Sequence, residues 1–221
     1  MSPCRSARNA AAVSEWGAPA DRLDARIVRA LYGLSTPPTA VPRIPEDLRD
    51  LIPPLERLRP AAVLLGLVDR GDGSRVILTR RTEALAHHPG QVAFPGGRQD
   101  PRDPGLLETA IREAHEEIAL DPAHVQPLGY IDPLPTFTGF MVLPVVARVS
   151  PLHESRPEPG EVAEVFEVPL AFLMDPANLR IERAELAGRT RQTWRFDYAG
   201  QRIWGATAAM LLNLRERLAG L

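Results

Sequence analysis

From residue 60 onward, apolar and polar positions follow a strand rhythm broken in two places by a helical one. Ala61 to Val68 is an unbroken apolar run, Gly71-Asp72-Gly73 is a turn signal, and Arg75 to Thr79 resumes the run, which together predict a β-hairpin. Strands are also predicted at Gln91 to Phe94, Val125 to Ile131, Phe140 to Val149 and Val162 to Val168. Thr193 to Ile203 is predicted to fold back on itself at Ala199-Gly200. One helix is predicted from about Pro104 to Ala119, opened by Asp103 as N-cap with Pro104 behind it. Another runs from Thr207 to about Ala219, with Met210, Leu211, Leu214 and Leu218 on one stripe. Many short strands and few helices make a mixed α/β domain, not the regular alternation of a doubly wound sheet.

The chain before residue 59 has a different texture. Leu23, Ile27, Leu31 and Leu34 fall near one face of a helix, after which Pro37, Pro38, Pro42, Pro45, Pro53 and Pro54 break the backbone repeatedly. The division expected is an N-terminal extension over 1-58, helix plus proline-rich connector, and a single catalytic-sized domain over 59-221.

Composition narrows the classes. A chain of 221 residues with 44% hydrophobic content can bury one large core. With 26 basic against 28 acidic residues it offers no broad cationic face, so no nucleic-acid partner is expected. No apolar run approaches the roughly 18 residues of a spanning helix, so no membrane partner is expected either. Cys4 stands alone, which excludes an intrachain disulfide and fits a cytoplasmic, reducing setting. Every basic residue is Arg, which excludes a Schiff-base lysine.

The chemistry concentrates on the first of the two helices. On a helix Leu107, Ile111, Ala114 and Ile118 lie within about 60° of one another and form a core stripe, with Arg112, Glu113, Glu116 and Glu117 opposite. Three carboxylates on one face repel by a few tenths of a kcal/mol per pair, so something positive should face them. Arg112 on a solvated face could be that partner. However, Phe94-Pro95-Gly96-Gly97 lies just upstream, and a tight glycine turn beside such a helix offers a carbonyl and several carboxylates to a hard divalent cation such as Mg2+ or Mn2+. The natural substrate of that site is a diphosphate.

Gly97 to Leu120 resembles the Nudix box, in which a glycine and a glutamate precede Arg-Glu-aliphatic-x-Glu-Glu-x-Gly; its core stands here as Arg112-Glu113-Ala114-His115-Glu116-Glu117-Ile118. The loop is one residue longer than the pattern, Asp103 or Pro104 replaces the first glutamate, and Ala119 replaces the late glycine. Upstream, Leu78-Thr79-Arg80-Arg81-Thr82, Leu85, His88 and Gly90-Gln91-Val92-Ala93-Phe94-Pro95-Gly96-Gly97 resemble the additional motif of the coenzyme A pyrophosphatase branch, with Ala86 where that motif has Arg. The likeness continues through Thr136-x-Thr138-Gly139-Phe140, Glu161-Val162 and Ile203-Trp204-Gly205.

The resemblance implies a Nudix-type α/β/α sandwich with a mixed β-sheet and a pyrophosphatase that uses Mg2+ or Mn2+. It implies Glu113, Glu117, Glu116 and the Gly97 carbonyl as metal ligands, Arg112 as an orienting group, and Glu161 as general base or further ligand, ahead of Glu164. Arg81, His88, Gly96 and Gly97 would meet the substrate. Arg81 would contact the 3′-phosphate of coenzyme A in preference to Arg80. His87 and His88, being adjacent, point apart and are not a metal pair. Trp204, Phe137 and Phe140 are read as core. The implied partner is coenzyme A or a related nucleotide. ADP-ribose, NADH or another nucleoside diphosphate derivative is the alternative substrate, and a non-catalytic nucleotide-binding module the alternative class. The extension would cover the site or make a homodimer contact.

Overall fold

The computed structural model describes residues 22–39, 46–85 and 88–220. Cys4, Pro42, Pro45, Ala86 and His87 lie outside them, as does the side chain of Leu23.

The long apolar run became β1 (Arg59–Asp69), a strand covered on both faces. Ala62, Leu64 and Val68 share one core with Ala110, Ala114 and Ile118 of α2 (Leu106–Ile118). Ala61, Leu65 and Leu67 belong to a second core with Ile27 of α1 (Arg22–Ala30), Leu170 and Leu173 of α3 (Leu170–Met174), and Leu211 and Leu214 of α4 (Gly205–Ala219). Burial on both sides is why this strand reads as continuous apolar sequence without alternation. The architecture is an α/β/α sandwich.

Its central sheet is mixed. β1 pairs in parallel with β7 (Phe140–Val149) from Arg59↔Phe140 to Val68↔Val149. Its other edge is shared between two antiparallel partners: β2 (Ser74–Arg81) at the far end, where Leu67 faces Val76, and β4 (Gly96–Arg98) at the near end, where Ala62 faces Gly97. β2 also carries β3 (Val92–Ala93) and β8 (Val162–Pro169), and β7 carries β5 (Val125–Tyr130) and β6 (Leu134–Pro135). A separate antiparallel sheet holds β9 (Arg180–Leu186), β10 (Arg189–Tyr198) and β11 (Gln201–Trp204). Its turns are Ala187-Gly188 and Ala199-Gly200, each with both residues at positive φ, as tight hairpins require.

Three expectations need correction. α2 begins at Leu106 behind Gly105, with no side-chain cap, so Asp103 is not its N-cap; its carboxylate is engaged elsewhere. α1 ends at Ala30, because Tyr32 exchanges both backbone hydrogen bonds with Tyr130 at 2.9 and 3.0 Å, leaving Leu34 exposed. The buried face of α2 runs through Ala110, Ala114, Glu117 and Ile118, whereas Leu107 and Ile111 are half-buried at its edge. Among the described residues, no helix is long and apolar enough to cross a membrane.

Candidate active site

The site is built where β4 crosses beneath α2. Gly96 has φ +153°, and a side chain there would strike the Ala62 carbonyl oxygen and lie 2.6 Å from the Val63 Cα. A Cβ on Gly97 would fall 2.5 Å from the Glu113 carboxylate. Two consecutive glycines therefore let a sheet edge and a helix approach with carboxylates, not packing side chains, between them.

Glu117 occupies that gap and is 5% exposed. Its Oε2 accepts a hydrogen bond from the Gly96 N–H at 3.1 Å, and the Arg81 guanidinium stands 3.9 Å from its Oε1. Burial pushes the Glu117 carboxyl up to about 7, against the opposing pull of the Gly96 N–H, and Glu113 and Glu161 add repulsion. Burial also raises Glu113. The expected polar placement of Glu117 is thus corrected: it lies on the buried side, accommodated by Gly96.

Glu161, whose side chain is exposed, stands near enough to repel Glu113 and Glu117 and follows a loop that caps the helix. The Arg156 and Glu158 N–H groups donate to the last carbonyls of α2, those of Ile118 and Glu117, at 3.0 and 2.8 Å. Glu161 follows directly, and its carbonyl accepts from Thr82 N–H at 3.0 Å.

Arg112 binds four groups at once. It forms a bidentate pair with Asp103 at 2.9 Å through each of Nε and Nη2, and it reaches Glu113 at 3.0 Å, Glu116 at 2.8 Å and the Arg98 carbonyl at 3.3 Å. Asp103 also accepts from Asp100 N–H and the Thr109 hydroxyl, both at 2.9 Å, and these partners, Arg112 foremost, hold its carboxyl far below the usual carboxylate range. Glu116 lies at the exposed rim. Asp103 was absent from the expected site residues, although the one-residue insertion in the loop marked the place where a bracing acid had moved.

Arg81, His88, Gly96 and Gly97 all line one cleft of about 960 Å3. The Arg81 Nε is buried without a hydrogen-bond partner, and His88, at φ +56°, stands exposed at the mouth. Arg80 is paired instead with Glu164 at 3.2 Å, and Gln201 donates to the same carboxylate at 2.9 Å. Trp204, Phe137 and Phe140 line the cleft too, which corrects the reading of Trp204 and the exposed Phe137 as core, while Phe140 also packs against the core as expected. One face of Phe140 carries the Arg59 guanidinium at 4.3 Å and Trp204 carries that of Arg202 at 4.8 Å.

Among the described residues no three His, Cys, Asp or Glu side chains stand ready as a metal cage, since Glu113 and Glu116 are turned to Arg112. The donor chemistry nonetheless fits a hard divalent cation. Glu117 is a buried carboxylate held by one backbone N–H, with Glu113 beside it and a glycine backbone opposite.

Residues 57–188 match the model of the NUDIX domain. The chain is 40% identical to the uncharacterized Nudix hydrolase NudL of Pectobacterium atrosepticum over 83% of its own length and 98% of that protein's. It is 37% identical to NudL of Photorhabdus laumondii, covering 76% of this chain and 91% of that one. Among solved structures, the Nudix hydrolase RenU of M. smegmatis superposes with a TM-score of 0.50 at 21% identity, over 74% of this chain and 87% of that chain, and shows the fold alone. The domain match and these relatives define a hydrolase of pyrophosphate bonds. This chain belongs to the Nudix hydrolase family, whose members act on small nucleotide-like substrates with divalent metal cations.

Proposed function

We propose that the enzyme hydrolyses the diphosphate of coenzyme A or acyl-coenzyme A to 3′,5′-ADP and (acyl-)4′-phosphopantetheine, in a cytoplasmic setting, with Mg2+ or Mn2+. The observation that carries this reading is that the motif residues Arg81, His88, Gly96 and Gly97 line a single cleft, and that Gly96, Gly97 and Arg81 are the ones beside Glu113 and Glu117. Glu113, Glu117 and the Gly97 carbonyl would hold the cation, with Glu116 entering from the rim. The cation supplies charge neutralisation on the phosphate oxygens and a more acidic water. Arg112, fixed by Asp103, sets the rotamers of Glu113 and Glu116. Arg81, with an unmet Nε–H and a place beside Glu117, would meet the diphosphate, and not the 3′-phosphate. Glu161 takes the proton of the attacking water as a phosphorus–oxygen bond of the bridge breaks.

The test is product identification after incubation with coenzyme A and Mg2+ or Mn2+, beside ADP-ribose, NADH and a Glu117→Gln control. Formation of 3′,5′-ADP, lost in the control, is the expected result. Turnover of ADP-ribose or NADH without coenzyme A would refute the substrate and retain the metal helix; metal-independent binding without any turnover would refute catalysis.

A further inference from the structure

The family segment supplies the phosphate end of the cleft, but much of its apolar wall lies outside that segment: Leu48, Leu51 and Ile52 before it, Trp194, Trp204 and Met210 after it. The first group sits on or just behind a short helical turn, Glu46–Leu51, packed against β10. Asp50 fixes this turn by a bidentate pair with Arg191 at 2.6 and 2.9 Å, and Arg191 is 5% exposed. An exposed chain segment has no reason of its own to line a volume with three half-buried aliphatic side chains, since solvent favours turning them into a core. The wall is not wholly apolar, since Arg49 of the same turn, Arg98 and Glu216 also line the cleft; Asp132, another acid of the lining, is already satisfied. Asp132 accepts from Tyr32 at 2.9 Å, Asn213 at 2.7 Å and Arg217 at 3.1 Å.

We infer that the 46–52 turn and Trp194 form a specificity wall for an apolar arm carried on the phosphate distal to the nucleoside. The inference rests on the proposed placement of the diphosphate at Gly97 and Glu117, and it deepens that reading: the preferred substrates are diphosphate diesters with an aliphatic arm, over those with a short polar one. A cleft of about 960 Å3 has room for such an arm beyond a nucleoside diphosphate. Each methylene buried against Leu48, Leu51 and Ile52 adds affinity without adding any polar contact. Asp50 acts as a positioning residue, because its pair with Arg191 sets the wall without touching the arm.

The probes are the methyl and octyl esters of α,β-methylene-ADP, whose bridge is not split, titrated by calorimetry into the full-length protein with Mg2+. The octyl ester is expected to bind about tenfold tighter or more than the methyl ester. That advantage should shrink to about threefold or less in a Leu51→Ser/Ile52→Ser double variant. Asp50→Asn, which removes no apolar atom, should reduce it in the same direction while leaving the methyl-ester Kd in place, and it keeps the test open if the double variant does not fold. Equal affinities in the wild type, an advantage that survives in the variants, or no binding of either ester overturns the inference. Because the probes lack pantetheine and the 3′-phosphate, the outcome separates from that of the coenzyme A assay: loss of coenzyme A cleavage with a retained octyl advantage refutes the substrate, and the converse refutes the wall.

Discussion

Glu117 shows how one residue joins stability to chemistry. A carboxylate 5% exposed, with its pKa raised to about 7 chiefly by burial, opposes folding whenever it is ionised. In the unfolded chain its pKa is near the ordinary 4.5, so between these values the folded state holds a proton that the unfolded state has released. The contribution therefore favours folding more as pH falls from 8 toward 5, the reverse of a salt-bridged acid. Glu117→Gln should melt higher than the wild type in chelator at pH 8, and the gap should close by pH 5, as scanning calorimetry at both pH values would show. The same substitution should lower kcat by about a thousandfold or more with Mg2+, since it removes a ligand and a charge where the transition state needs both. A variant that melts no higher at pH 8, yet is inactive, would mean that the charge is already balanced. Asp103 works in the opposite sense. Asp103→Ala leaves Arg112 with only Glu113, Glu116 and a carbonyl, and should cost about 2 kcal/mol in urea unfolding, discounted for the 30% exposure of the Arg112 side chain. It should also lower kcat, because two carboxylates lose the group that orients them.

At the level of elements, the end of α2 carries a local strain that the family pattern relieves with glycine. Ala119 has φ +54° and ψ +29°, a left-handed conformation that costs a residue with a Cβ about 1 kcal/mol or more. Its side chain is exposed, so Ala119→Gly loses little packing and should raise stability by about 0.5–1 kcal/mol without changing kcat/KM, read from denaturant midpoints and initial rates. How well each element could be read from sequence follows from the same physics. β1, β7 and α4 were legible because burial on one or both faces writes a dense apolar pattern. β4 is Gly-Gly-Arg and β9 is Arg-Ile-Glu-Arg-Ala-Glu-Leu; neither carries an apolar rhythm, since one is held by a close backbone approach and the other, among the described residues, pairs only with β10. The carboxylate helix was legible from spacing, but the depth of Glu117 was not, because that depends on Gly96 arriving from a sheet edge. Asp103 escaped for a related reason: its partner Arg112 lies nine residues on, across a loop whose path spacing alone does not give.

For the whole molecule, the question is whether the segment before residue 59 is an appendage. Ile27 is fully buried and Ala30 nearly so, in the same core as Leu211 and Leu214 of α4. Arg217 on α4 donates to the Ala30 carbonyl at 2.6 Å, stacks on Tyr32 at 4.0 Å and pairs with Asp132, tying α1, α4 and the cleft into one network. Asp50 adds a second tie to β10 at the cleft wall. We propose that the boundary at residue 58 marks a change of sequence texture and not a separate cooperative unit. Ile27→Ala removes a fully buried side chain from a shared core and should cost about 2–4 kcal/mol. If the extension folds with the rest, that loss moves the single urea transition of the whole chain, as followed by the fluorescence of Trp194 and Trp204 in a Trp16→Phe background, which removes the extension's own tryptophan. If it is a separable addition, tryptophan fluorescence reports an unchanged midpoint and only far-UV helicity falls early. The half-buried ties through Arg217 and Asp132 favour the first outcome, because a cost paid at Ile27 is then shared by the elements that shape the cleft.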